Sequence, residues 1–327
     1  MSQKNETTFI TEFFIVGFPG LRPEYYNLIG AIFFSIYVMI IMGNSIFIVL
    51  FVTEPSLHKP MYIIMLNLAV SDVGFCTVAL PKLISRYWFN NGYLSFQLCL
   101  MQRQFIHYFG TLNSLIMMIM AIDRYLAICH PLRYPVYMTT RTMKFVTGFI
   151  WVSAMIFPGI STSLTAKMPF CGPNLIMNCF CDTVSMNSLA CADVSSQNYI
   201  STSVATFVLL FPFSFIIFSY ISIVVAVIKI ANIQGRLKTF STCATQLAIV
   251  SIYYIPRFFV YVTPYIPNLK LNIDQKISLT VFYTLFPAMV NPLIYCFRTK
   301  EIRQLLLKWC SRKKTFSHNN NVVSVSK

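Results

Sequence analysis

Charge is what this chain has least of. Only 11% of its 327 residues are Asp, Glu, Lys or Arg, whereas a water-soluble domain carries about 25%. So few charges cannot cover a soluble surface around 30 Phe and 18 Tyr, which excludes an ordinary soluble fold and implies a polytopic membrane protein. The formal charge of +15 does not indicate nucleic acid as a partner, because the basic residues collect at the ends of apolar runs. A cleavable signal is also missing. Residues 1–27 have no basic region followed by a short apolar core and a small-residue cleavage site, so the first apolar run is expected to be both targeting signal and span. No nucleophile–base–orienter set or metal-ligand cluster stands out, and His58, His107, His130 and His318 are far apart. Nothing therefore points to an enzyme, a cofactor or a metal centre. The inverted repeats and paired broken helices of a transporter are absent, and no polar insert is long enough for a second domain.

What is present is seven apolar runs, at about 27–52, 61–84, 98–123, 144–164, 198–228, 239–265 and 273–297, each long enough to cross roughly 30 Å of hydrocarbon. The expected fold is an all-α membrane protein, a seven-transmembrane helix bundle over 27–298 behind an extracellular N-terminus at 1–26. Beyond the last run, Ile302, Leu305, Leu306 and Trp309 recur at helical spacing among Lys and Arg. That pattern predicts a short amphipathic helix on the inner membrane surface over 299–310. A polar cytoplasmic tail follows at 311–327, and Cys310 is a candidate for palmitoylation.

Orientation follows from the basic residues. With the C-terminus inside, sixteen of the 25 Lys and Arg lie on the cytoplasmic side and seven outside, while Arg103 and Arg257 fall within spans. The N-terminus is then extracellular, where the sequon Asn5-Glu6-Thr7 can be glycosylated. The same topology puts Cys99, Cys171, Cys179, Cys181 and Cys191 on the outer side, in the compartment that permits disulfides. Two bridges tying the loop over the bundle are expected, the alternative being reduced, buried thiols. Spacing does not decide the connectivity.

Polar residues inside spans are functional candidates because the bilayer penalises them. Asn44, Asp72, Asn113 and Asn291 lie in the first, second, third and seventh runs. They could form one hydrated cluster at mid-bilayer, around a sodium ion near Asp72, or a plain set of interhelical hydrogen bonds. Either way, a polar network that can rearrange is what a switch needs. Pro212, Pro256 and Pro292 lie within runs five, six and seven, where each removes a backbone hydrogen bond and can act as a hinge.

A set of motifs then carries a resemblance: Gly43-Asn44, PMYIIMLNLAVSD at 60–72, MAIDRYLAICHPLRY at 120–134, Ser219-Tyr220, KTFSTCATQL at 238–247 and NPLIY at 291–295. Together they resemble the odorant (olfactory) receptors, a family of rhodopsin-like G-protein-coupled receptors. GFPGL at 17–21 and the CFCD…LAC loop are similar to the fish-like, class I branch, which implies water-soluble or acidic odorants. The resemblance implies the bridges Cys99–Cys181 and Cys171–Cys191, with Cys179 left over. It implies that Asp123 holds Arg124 at rest, that the sixth helix swings outward on activation, and that Tyr220 and Tyr295 then move toward Arg124. Tyr125, Tyr254 and Pro292 belong to the same switch set. The implied partners are a small odorant, the lipid bilayer and a stimulatory, olfactory-type heterotrimeric G protein that raises cAMP. The implied location is the plasma membrane of olfactory sensory neuron cilia. Gln246 and Asn113 stand where the family commonly has His and an acidic residue. A rhodopsin-like receptor for a non-olfactory metabolite or peptide would share every switch residue. A light sensor is excluded, since Lys276 stands at the outer edge of the seventh run and its interior holds no Lys for a retinal Schiff base.

Signal flows inward, so a ligand pocket belongs in the outer half of the bundle. Arg103, His107, Thr111 and Ser114 follow one another as a stripe on the third span. A rise of about 1.5 Å per residue puts Arg257 at a similar depth. No acidic residue of any span reaches that depth, and a buried guanidinium calls for neutralisation. On one reading the ligand supplies it, as a carboxylate held by Arg257 with help from His107 or Arg103. On the other, Arg103 snorkels to the outer surface and Arg257 pairs with Asp182 or backbone carbonyls. Gly110, Phe258, Tyr261 and Thr284 complete the expected lining, by helical spacing and by resemblance.

Overall fold

The computed structural model describes residues 10–171, 173–191, 193–229, 233–263, 266, 269, 271–299 and 301–309. In chain order its helices are α1 (Tyr26–Thr53), α2 (Pro60–Phe89), α3 (Phe96–Cys129), the short α4 (Tyr134–Tyr137), α5 (Thr140–Ala166), the short α6 (Thr183–Asn187), α7 (Ser195–Ile228), α8 (Ile233–Val262), α9 (Ile273–Arg298) and α10 (301–309). Among the described residues, six helices are long and apolar enough to cross a membrane. In α8 the described residues hold an apolar stretch at Gln246–Val260. Burial is inverted relative to a soluble protein. Phe34, Met39, Phe145, Phe149 and Val152 face outward, while Asn44, Asp72, Arg103, Ser114 and Asn291 are buried. That is the pattern of a bundle whose surroundings are hydrocarbon.

The helices run past the apolar stretches because local chemistry, not hydropathy, ends them. Pro60 occupies the first turn of α2, and Asn90 closes it in the left-handed conformation at φ 50°. Ser95 caps α3 by accepting from the Leu98 amide, and Thr139 caps α5 by accepting from that of Thr142. Pro81, Pro158 and Pro287 join Pro212, Pro256 and Pro292 inside helices. Helix α3 runs through the middle of the bundle against α2, α5, α7 and α8, and α9 packs on α1 and α8.

The end that carries the disulfides is called outer, the opposite end inner. The outer end holds something hydropathy did not show, a three-stranded sheet. Strand β1 (Glu12–Ile15) lies between β2 (Tyr93–Ser95), antiparallel to it, and β3 (Leu175–Ile176), parallel to it. Phe13 and Ile15 alternate inward into a cluster with Cys99, Phe170, Ile176 and Cys181. The chain then crosses the outer mouth. The Phe18 amide donates to Tyr87 Oη at 2.9 Å, and the Gly20 amide to the Asp274 carboxylate at 3.1 Å. Gly17 has φ +75°, and a Cβ there would stand 2.3 Å from Tyr87 Oη, so only glycine fits.

Candidate ligand site and switch

Arg103 is completely buried. Its Nη1 donates to Thr162 Oγ1 at 2.8 Å, and its Nη2 to Ser161 Oγ at 2.7 Å and Thr183 Oγ1 at 3.0 Å. The expectation that it snorkels outward is thus corrected: α3 turns it toward α5 and α6, where hydroxyls receive it. Thr183 also meets His107 Nε2 at 3.0 Å. His107 is half-buried and within Coulombic reach of both Arg103 and Arg257. Arg257 donates from Nη1 to Tyr253 Oη at 2.6 Å and lies over the rings of Tyr253 and Tyr283. Tyr253 Oη donates onward to the Gly110 carbonyl at 2.8 Å and meets Ser114 Oγ at 3.1 Å. A Cβ on Gly110 would stand 3.9 Å from Arg257 Nη2, so the guanidinium lies against a bare stretch of α3. Asp182 forms no ion pair among the described residues. Its oxygens accept from the Val184 and Ser185 amides, each at 3.3 Å, and cap α6.

The expected stripe therefore fans out. Thr111 and Thr284 turn back on their own helices, bonding the His107 and Thr280 carbonyls. Phe258 packs on the rings of Phe213 and Tyr254. The side chain of Tyr261 lies outside the described residues.

Deeper in the bundle, Asp72 accepts from Asn113 Nδ2 at 3.3 Å and Asn291 Nδ2 at 2.8 Å, joining α2, α3 and α9. Asn44 does not join this set, which corrects the expectation of one four-residue cluster. Its Nδ2 donates to the Ile40 and Ala288 carbonyls at 2.9 and 3.2 Å. The reason is local: a Cβ on Gly43 would stand 3.1 Å from the Pro292 ring, so α1 and α9 approach closely and Asn44 meets backbone. Among the described residues the buried Oδ1 atoms of Asn113 and Asn291 have no hydrogen-bond partner.

At the inner end Arg124 Nε lies 3.6 Å from Asp123 Oδ2, and its Nη2 faces Met61 Sδ on α2. Asp123 Oδ1 accepts from Tyr134 Oη of α4 at 2.9 Å. Burial and the adjacent Asp123 charge push the Tyr134 hydroxyl well above its ordinary range, so it remains a donor. Tyr125 points elsewhere, to His130 Nε2 at 3.0 Å and the ring of Phe218. Tyr220 donates to Gln246 Oε1 at 3.4 Å, on α8. Pro292 lies inside α9, and the Tyr295 side chain is outside the described residues. Lys59 Nζ and Tyr62 Oη both donate to Glu301, tying α10 to the start of α2.

Cys99 is bonded to Cys181 and Cys171 to Cys191, each pair with Cα atoms 5.5 Å apart. Cys179 is free and buried, and burial pushes its thiol up, so it is not a reactive thiolate. Asn5 and Cys310 lie outside the described residues.

A family model for olfactory receptors matches residues 33–313. The chain belongs to the olfactory receptor family. It is 34% identical over 300 residues to olfactory receptor 2AT4 of Homo sapiens, covering 92% of this chain and 93% of that one. To olfactory receptor 11A1 of Homo sapiens it is 36% identical over 315 residues, covering 96% and 98%. The crystal structure of squid rhodopsin superposes with a TM-score of 0.69 at 19% identity, covering 88% of this chain and 81% of that chain. This olfactory receptor is thus a seven-helix G-protein-coupled receptor in the membrane and not an enzyme.

Several contacts of the receptor escaped the sequence reading. Tyr253 stands one turn before Arg257, a spacing that could have flagged it. Ser161, Thr162 and Thr183 carried no such signal, because hydroxyls are common in apolar helices and loops.

Proposed function

We propose that this receptor recognises a small acid in the outer half of its bundle, with Arg257 as the carboxylate anchor and His107 beside it. The observation that carries the reading is the setting of Arg257, braced by Tyr253 Oη at 2.6 Å against the bare face of Gly110. A guanidinium held in place by a neutral hydroxyl is a pre-organised carboxylate receptor. Water-soluble acids are also what the GFPGL and CFCD…LAC signatures imply. Tyr253 links Arg257 to Gly110 and Ser114 of α3, so a ligand that draws on Arg257 acts on the α3–α8 contact. The same α3 ends at Asp123-Arg124. Release of Arg124 as α8 moves outward would open the inner face to a stimulatory, olfactory-type G protein and raise cAMP. The receptor would stand in the plasma membrane of olfactory cilia with its N-terminus outside, as the basic residues and the outer disulfides favour.

The test is a dose–response panel of small carboxylic acids and their methyl esters, on wild type and Arg257→Ala, with a cAMP reporter and the olfactory Gα. Acids are expected to lose roughly tenfold or more in potency on substitution, the loss of one charge-assisted contact. Esters that match acids on wild type would sink the proposal.

A further inference from the structure

The junction of α3, α5, α6 and α7 holds a cation inside a ring of hydroxyls. Arg103 is 0% exposed. Its terminal nitrogens reach Thr162, Ser161 and Thr183 at 2.7–3.0 Å, while its buried Nε–H has no partner among the described residues. Ser161 continues to Ser201 Oγ at 2.9 Å and Thr183 to His107 Nε2 at 3.0 Å. No carboxylate pairs with Arg103 among the described residues; Asp182, next to Thr183, caps α6 instead.

Hydroxyls satisfy hydrogen bonds but bring no charge, and Asp182 acts on Arg103 only through space, without a contact ion pair, so the guanidinium is partly compensated in a low-dielectric setting. Arginine does not escape by deprotonation. These hydroxyls have partners beyond Arg103, Thr162 donating to Gln104 Oε1 at 2.8 Å and Ser161 and Thr183 meeting Ser201 and His107, and each can exchange that bond for one donated to an anion. One guanidinium with an orphaned N–H, ringed by rotatable O–H groups, is the donor set of an oxyanion or halide site. It is also distinct from the Arg257 pocket. Arg257 rests against Gly110, two turns further along α3, roughly 10 Å at 1.5 Å per residue.

We propose that the Arg103 junction is a second anion site, which takes one compact monoanion, either a chloride ion or a single carboxylate group. It neighbours the acid pocket proposed above but does not rest on it. A chloride there is a resident ion from the outer medium. A carboxylate there is one end of an organic ligand, which would make a two-headed acid the preferred class.

The experiment uses the purified full-length receptor in nanodiscs, its thermal midpoint followed while sodium gluconate is exchanged for sodium chloride or sodium formate at constant ionic strength. Gluconate is too bulky for a buried site. A saturable rise with chloride or formate is expected, because an anion bound only to the folded state stabilises it by mass action. Half-saturation, read in an Arg257→Gln background so that formate in the acid pocket does not contribute, should move at least about tenfold when Arg103→Gln is added, the loss of a charge-assisted contact. A response to chloride alone identifies the halide, and one to formate alone the carboxylate. Identical midpoints in gluconate, chloride and formate overturn the proposal, as does a rise that survives Arg103→Gln in the Arg257→Gln background. Should Arg103→Gln not reach the purified state, Ser161→Ala combined with Thr183→Val takes its place with the same expected shift, and the wild-type titration alone can still refute the site. Acid responses lost in Arg257→Ala report on the other pocket, so the two proposals fail separately.

Discussion

Arg103 and Arg124 lie on the same helix, and the protein closes around both, yet it treats them differently. Arg124 has a carboxylate beside it, Asp123, with Nε and Oδ2 3.6 Å apart, and Asp123 is steadied by Tyr134. Among the described residues Arg103 hydrogen-bonds to hydroxyls and has no contact ion pair. A second ion pair at the inner end joins Lys59 to Glu301. Such pairs can exchange partners without anything entering from outside, which suits a gate. An outer cation compensated by neutral dipoles is poised for a charge that arrives, which suits a receptor. Between these two arginines of α3, the difference teaches where to look for the message, at Arg103, and where for the response, at Arg124.

The largest effect expected from breaking this contrast is at Arg124. Arg124→Ala removes the group that the inner pair holds in reserve, and cAMP signalling should fall to background while surface expression, read by an N-terminal tag, stays largely intact. Loss of surface expression would mean instead that the Asp123-Arg124 pair is mainly structural.

A smaller effect is expected where the outer end is held by backbone rather than by charge. At Gly17 a methyl group meets both the left-handed φ of +75° and Tyr87 Oη at 2.3 Å. Gly17→Ala should cost about 1–3 kcal/mol, seen as a lower thermal midpoint of the purified receptor. Gly148→Ala, where nothing lies within 4 Å of the new Cβ, is the matched control and should cost nothing by contact. Equal midpoints for the two variants would show that the strap from β1 to Gly20 contributes little to the outer end.

The same contrast explains what was legible in the sequence. Bilayer thickness imposes a length on apolar runs, so the seven helices could be read from hydropathy. Their ends could not, since Ser95, Thr139 and Asn90 set them by capping and by a left-handed turn. The sheet was invisible because Phe13 and Ile15 pair with Tyr93–Ser95 and Leu175–Ile176, segments far along the chain, and four residues of alternation carry no weight alone. Charged residues inside spans stood out at once as candidates. Their partners did not, because the direction in which Arg103 turns depends on how α3 packs against α5 and α6. Asn44 shows the reverse error: its residue type suggested a place in the Asp72 cluster, and the close approach at Gly43 gave it backbone instead.

The smallest expected effect comes from Glu301, at the start of α10. Its carboxylate accepts from Tyr62 and Lys59, and these bonds hold its pKa below the ordinary carboxylate value. Its side chain is 53% exposed, so solvent screening limits the contribution to about 0.2–1 kcal/mol. The sign follows from linkage. A carboxylate with a depressed folded pKa stabilises the fold above its unfolded value, about 4.3, and loses that contribution as pH falls through the folded value. Glu301→Gln should therefore lower the thermal midpoint slightly at pH 7, and the gap to wild type should close below about pH 4, where wild type is protonated too. A gap that persists unchanged into acid would mean that Glu301 acts through shape rather than charge, and the inner end would then be less dependent on internal ion pairs than Asp123 and Arg124 suggest.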